Sequence, residues 1–139
     1  MLSDEVADRL RAVFAAHSAV RAAYVFGSVA AGGEWNESDL DLAVVVDGEK
    51  WSSSSKVPLI GDCMEAARRD WIDLVVLNDA PLVLQFEAVR PNVLLYQHEE
   101  FKHGTFYSTV LRKYWDFKSH LRRQRKAYKR RLMEENRDG

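Results

Sequence analysis

Phe26-Gly27-Ser28-Val29-Ala30-Ala31-Gly32-Gly33-Glu34-Trp35-Asn36-Glu37-Ser38-Asp39-Leu40-Asp41-Leu42 is the stretch that decides how this chain is read. It opens with Gly-Ser at the end of an apolar run, Tyr24-Val25-Phe26. It closes with Asp39 and Asp41 leading into a second run, Leu42-Ala43-Val44-Val45-Val46. Successive side chains of a β-strand point to opposite faces, so Asp39 and Asp41 are expected to share a face. Two carboxylates side by side repel unless a cation lies between them. Hard oxygen ligands of this kind suit Mg²⁺, which is commonly held by one or two carboxylates and the phosphates of a substrate. Gly27-Ser28 supplies the complement: a backbone that can approach closely, amides aimed at an anion, and a hydroxyl.

A third carboxylate lies in Trp71-Ile72-Asp73-Leu74-Val75-Val76-Leu77, which reads as a buried strand by its length and β-branched content. Asp73 interrupts it, and a carboxylate inside an apolar strand is costly unless it is paired or binds metal. Three aspartates on two strands beside a phosphate-binding turn point to a two-metal phosphoryl- or nucleotidyl-transfer site.

Gly27-Ser28, ten intervening residues, Asp39-Leu40-Asp41 and then Asp73 on a later strand together resemble the signature of the DNA polymerase β-type nucleotidyltransferase superfamily. Within it the chain resembles the minimal nucleotidyltransferases (MNT), in particular the MntA-like antitoxins paired with HEPN-domain ribonuclease toxins. The likeness runs from about Val6 to Tyr96 and more loosely through Tyr114. It implies an α/β (α+β) nucleotidyltransferase fold, a small mixed β-sheet of three to four strands covered by helices, with a long C-terminal helix. Residues 1–98 would form the core, and residues 99–139 a helical extension of the same domain with a basic end. The resemblance further implies an Mg-dependent enzyme whose catalytic residues Asp39, Asp41 and Asp73 hold two Mg²⁺ ions, with Gly27 and Ser28 on the phosphates of ATP. The implied acceptor is a tyrosine hydroxyl of a cognate HEPN ribonuclease toxin, silenced by AMP transfer. The pattern departs at Ala31, where many members carry arginine.

Two other functions fit the same residues. One is a small-molecule nucleotidyltransferase of the antibiotic-modifying type, completed by homodimerisation. The other is a binding-only antitoxin that acts by occlusion. RNA as acceptor would rest on the basic C-terminal run alone, and direct nucleic-acid binding is not expected.

Composition sets outer bounds. A chain of 139 residues suggests one domain, and Lys+Arg 20 against Asp+Glu 21 names no partner. The single Cys63 cannot form an intrachain disulfide. Met1-Leu2-Ser3-Asp4-Glu5 has no signal-peptide character, and no apolar run approaches membrane-spanning length, so a cytoplasmic protein is expected.

Along the chain, Ser3 or Asp4 is expected to cap a helix running to about His17, with Val6, Leu10, Val13 and Phe14 on one face. Strands follow at Arg21 to Phe26, Leu40 to Val46, Trp71 to Leu77 and Asn92 to Gln97. Val29-Ala30-Ala31 would start a short helix, Val57 to Ala67 another with Pro58 in its first turn, and Asn78-Asp79-Ala80-Pro81 would cap a third. After Glu99, Phe106, Val110, Phe117 and Leu121 form one helical stripe, with Tyr107, Leu111 and Tyr114 beside it. Arg122-Arg123-Gln124-Arg125-Lys126-Ala127-Tyr128-Lys129-Arg130-Arg131 then reads as a solvated, frayed helix end, or as an electrostatic handle. His17, His98, His103 and His120 have no metal-ligand spacing and are assigned to surface or structure, and Trp35 is a candidate for stacking on a base or, equally, for packing.

Overall fold

The computed structural model of the chain describes residues 2–27 and 40–138. Helix α1 (Asp4–Ala16) begins at Ser3, whose hydroxyl accepts from the Val6 amide at 3.3 Å; Asp4 and Glu5 lie in its first turn, where the helix dipole favours negative charge. Strands β1 (Val20–Phe26), β2 (Leu40–Val46), β3 (Ile72–Val76) and β4 (Val93–Gln97) form a sheet in the order β3-β2-β1-β4. β1 is antiparallel to β2 and to β4, whereas β2 and β3 are parallel. Helix α2 (Lys56–Ala67) makes the crossover that a parallel pair requires. Helices α3 (Leu82–Val89) and α4 (His103–Asp138) complete the described elements.

The period of two along each strand sorts the core onto two faces. Leu10 and Phe14 of α1 and Leu59 and Cys63 of α2 pack with Val25, Leu42 and Val44 on one face. On the other, Phe86 and Val89 of α3 and Val110 of α4 pack with Ala22, Tyr24 and Ala43. Asp41 stands two residues before Ala43 on β2, and Asp73 two residues before Val75 on β3. Both carboxylates therefore belong to the face that carries α3 and α4.

α4 is tied to this face at its first residue. The buried Tyr24 hydroxyl donates to His103 Nδ1 at 2.8 Å, and His103 Nε2 donates to Asn92 Oδ1 at 2.9 Å. Burial pushes the Tyr24 hydroxyl above its ordinary range, which keeps it protonated and a donor. At the other end of the sheet Arg21 pairs with Asp47 at 2.8 Å and reaches Glu100 at 3.4 Å, pinning the strand ends away from Asp41. Hydrogen bonds from the Glu49 amide and from Arg21 hold the Asp47 carboxyl below its usual range.

Two expectations are corrected, and the α4 stripe proves to run on past the core. Asn78 and Asp79 do not cap α3: they lie in a 3₁₀ turn (Leu77–Asp79), and Pro81 takes the N-cap position without a side-chain bond. Asn78 instead bridges to β2, accepting from the Val46 amide at 2.9 Å and donating to its carbonyl at 2.8 Å, because strand pairing offers both partners at once. The stripe on α4 is only half buried: Phe106 and Val110 pack on the core, but Phe117 and Leu121 lie beyond it and are exposed. The basic run is not frayed, for α4 continues through it to Asp138 as one helix of 36 residues.

Cys63 is fully buried in α2, and burial, with the Asp62 charge adding to it, pushes its thiol up to about 12. The thiolate is the nucleophile, so the native protein is expected to resist thiol-specific alkylation at neutral pH. Mass spectrometry after iodoacetamide should show one adduct in denaturant and none in the native state.

Candidate functional site

The parallel register pairs Leu40 with Ile72, Asp41 with Asp73 and Leu42 with Leu74. Adjacent strands lie about 4.8 Å apart, so two register partners project side by side from one face. Asp41 and Asp73 are neighbours of this kind, each half-buried at the beginning of its strand. The antiparallel pairing of β1 with β2 sets Phe26 opposite Asp41, which brings the next residue, Gly27, onto the Asp41 carboxylate.

Gly27 is required there for two reasons. Its φ is +73°, in the left-handed region that L side chains avoid, and a Cβ would collide with the Asp41 carboxylate. The close approach places main chain directly against an acidic oxygen at the mouth of the β1–β2 connection. A pair of carboxylates on adjacent strands, held where no side chain fits, has the donor chemistry that a hard divalent cation takes.

Asp73 has a further partner that the sequence reading left out. The Trp71 indole Nε1 donates to Asp73 Oδ1 at 3.0 Å, while the ring itself is 62 % exposed. This fixes one carboxylate oxygen and leaves the other directed by the strand. The signal was in the spacing: Trp71 and Asp73 are two residues apart on an extended segment and so share a face. Of the proposed site residues, Gly27, Asp41 and Asp73 are brought together. Ser28 and Asp39 lie outside the described residues, as do Ala31, Trp35 and the short helix expected at Val29 to Ala31. Among the described residues no group of three or more His, Cys, Asp or Glu is placed to hold a metal, the Asp41–Asp73 pair being two.

The model of the Polymerase beta, Nucleotidyltransferase family matches residues 8–101. The chain belongs to this family. No curated protein matches the sequence. The nucleotidyltransferase fold recurs in solved toxin–antitoxin complexes. A chain of a mutant MntA-HpeT toxin–antitoxin is 20% identical with a TM-score of 0.68, over 91% of this chain and 98% of that one. A chain of a toxin–antitoxin solved with AMP-PNP is 22% identical with a TM-score of 0.65, over 91% and 98%. A third, from a complex of the tri-AMPylated Shewanella oneidensis HEPN toxin with its MNT antitoxin, is 21% identical with a TM-score of 0.61, over 92% and 96%. The mixed sheet and long C-terminal helix of this nucleotidyltransferase domain are as expected from its sequence. No helix among the described residues is long and apolar enough to cross a membrane.

Gly27→Ala is expected to destabilise the protein by about 1–2 kcal/mol through its left-handed backbone alone, and to displace Asp41 as well. Urea unfolding would read the first effect and nucleotidyl transfer the second. Trp71→Phe removes the indole donor to Asp73 but keeps the ring, so the urea midpoint should be little changed.

Proposed function

We propose that this chain is an antitoxin-type protein adenylyltransferase, which moves AMP from ATP to a tyrosine hydroxyl of a HEPN-type ribonuclease partner in the cytoplasm. The observation that carries the reading is the in-register pair Asp41 and Asp73, closed on one side by Gly27, inside a nucleotidyltransferase-family domain. The partner and the nucleotide are supported by the likeness to chains from a HEPN–MNT complex whose toxin is AMPylated and from a complex holding AMP-PNP.

In this reading Asp39, Asp41 and Asp73 would hold Mg²⁺. Mg²⁺ held there would supply charge neutralisation for the phosphates. The backbone at Gly27 and the Ser28 hydroxyl bind the β- and γ-phosphates, so that the α-phosphorus faces the acceptor. Positioning is the main task of the chain, since bringing two bound reactants into line removes much of the barrier. The tyrosine oxygen forms a bond to the α-phosphorus, the bond from that phosphorus to the β-phosphate bridge breaks, pyrophosphate leaves, and the phenolic proton passes to solvent. Trp71 keeps one oxygen of Asp73 occupied and its rotamer set. Each AMP added to the partner brings negative charge and bulk, which repels RNA from a nearby cleavage site.

The test is the intact mass of the HEPN partner co-expressed with this chain. AMP-sized increments are expected with the wild type and none with Asp39→Asn/Asp41→Asn or with Asp73→Asn. The variants should keep the wild-type circular dichroism spectrum in metal-free buffer, since they keep side-chain size. A partner that is bound and inhibited yet unmodified by the wild type would overturn transfer in favour of occlusion.

A further inference from the structure

The apolar seam of α4 does not end where the core ends. Val110, Tyr114, Phe117, Leu121, Gln124 and Tyr128 follow one another at alternating spacings of four and three, the repeat that keeps a helix face against another helix. Val110 is buried and Tyr114 stacks on Phe86 of α3, with ring centroids 3.7 Å apart and planes within 3°. Beyond that point the same seam leaves the body of the protein. Phe117, Leu121 and Tyr128 are 42 %, 37 % and 59 % exposed. A groove of about 230 Å³ opens at the transition. Val83 of α3 with Tyr114, Phe117 and Leu121 forms its floor, and Lys118 and Arg125 stand on its rim.

Charge decides what can lie on this seam. The positions flanking it are Leu111, Lys113, Lys118, His120, Arg125 and Ala127, with three cations and no acidic residue among them. Arg122 to Arg131 carries +7 in a chain whose net charge is −1, leaving −8 for the remainder. A second copy of α4 laid on the seam would set cations against cations in either orientation, because the flanking charges have one sign. An occupant with Asp or Glu at its flanking positions meets complementary charge at Lys113, Lys118 and Arg125.

We propose that this face of α4 docks an acidic amphipathic helix of a partner protein. The partner's apolar residues continue the Val110–Tyr114 packing over Phe117, Leu121 and Tyr128, and its carboxylates face Lys118 and Arg125. Gln124, the one polar residue in the seam, fixes the register, as a single polar seam position does in paired helices. Docking here uses neither ATP nor metal, so it stands or falls apart from nucleotidyl transfer.

The probe is a fluorescein-labelled synthetic helix of about four heptads with Leu at the seam positions and Glu at the flanking ones, beside a sister peptide with Lys for Glu. Anisotropy with the full chain at physiological ionic strength is expected to show binding of the acidic peptide and not of the basic one. Phe117→Ser/Leu121→Ser keeps every charge and alters only exposed positions, and should weaken binding by about tenfold or more with helicity unchanged by circular dichroism. Lys118→Glu/Arg125→Glu should reverse the preference between the peptides. Failure of the acidic peptide to bind, or serine-variant binding equal to wild type, would overturn the proposal. Tighter binding of poly(U), insensitive to the serine variant, would make the face a nucleic-acid surface instead. A dimer in sedimentation that the serine variant abolishes would make it a contact between copies.

Discussion

The rest of the molecule is arranged around a repulsion. Asp41 and Asp73 are register partners on adjacent parallel strands, so two like charges are set side by side on one face of the sheet. Neither strand relieves it by turning away, because a one-residue slip of either would carry Leu42 or Leu74 out of the core. The apolar pattern thus holds the acidic pair in place, and the pair stays half-buried at the strand starts, where solvent or a cation can reach it.

What supports that pair is spread over three layers. α1 and α2 cover one face of the sheet with Leu10, Phe14, Leu59 and Cys63, none of which has a polar role, so that side is free to be purely apolar. The other face has to combine a core with a polar site. It does so by dividing the strands lengthwise: Ala43, Tyr24 and Ala22 pack under α3 and α4, while Asp41 and Gly27 occupy the end that these side chains leave clear. The small residues Ala22 and Ala43 let the aromatic rings of α3 and α4 approach. The Tyr24–His103–Asn92 chain then fixes where α4 begins. Arg21 with Asp47 and Glu100 ties the opposite end of the sheet, so both ends of β1 are held.

Much of this was legible from residue order. The apolar, β-branched run that ends at Val46 and the capping serine before Asp4 each carry a local physical signal, and both elements begin and end close to where that signal places them. Asp73 was legible as an anomaly, a charge in an apolar strand, and its register with Asp41 follows once the strands pair in parallel. Asn78 was not legible, because its side chain meets β2 backbone some 32 residues away and nothing local distinguishes that role from a helix cap. Trp71 was passed over because an indole next to a strand reads as packing until its Nε1 is seen to point at Asp73. The exposure of Phe117 and Leu121 was beyond local reading for a related reason. Periodicity tells which face of a helix is apolar, whereas the point at which the core beneath it stops depends on the length of α3 and of the sheet.

That last discrepancy bears on how α4 is stabilised. A helix of 36 residues spans about 54 Å, and its N-terminal third alone has a core to lie on. Past Leu121 helix propensity has to act by itself, and Arg, Gln, Lys and Ala in Arg122 to Lys126 and at Ala127 are all strong formers. The same cations repel one another at spacings of three and four, which opposes the propensity. Glu134 and Glu135 lie three to five residues beyond Arg130 and Arg131, where they offset part of that repulsion at one end of the block only. A face with carboxylates laid beside the block would offset the rest. The helix is therefore at its most stable when occupied, and the exposed seam and the uncompensated charge are two aspects of one incomplete surface.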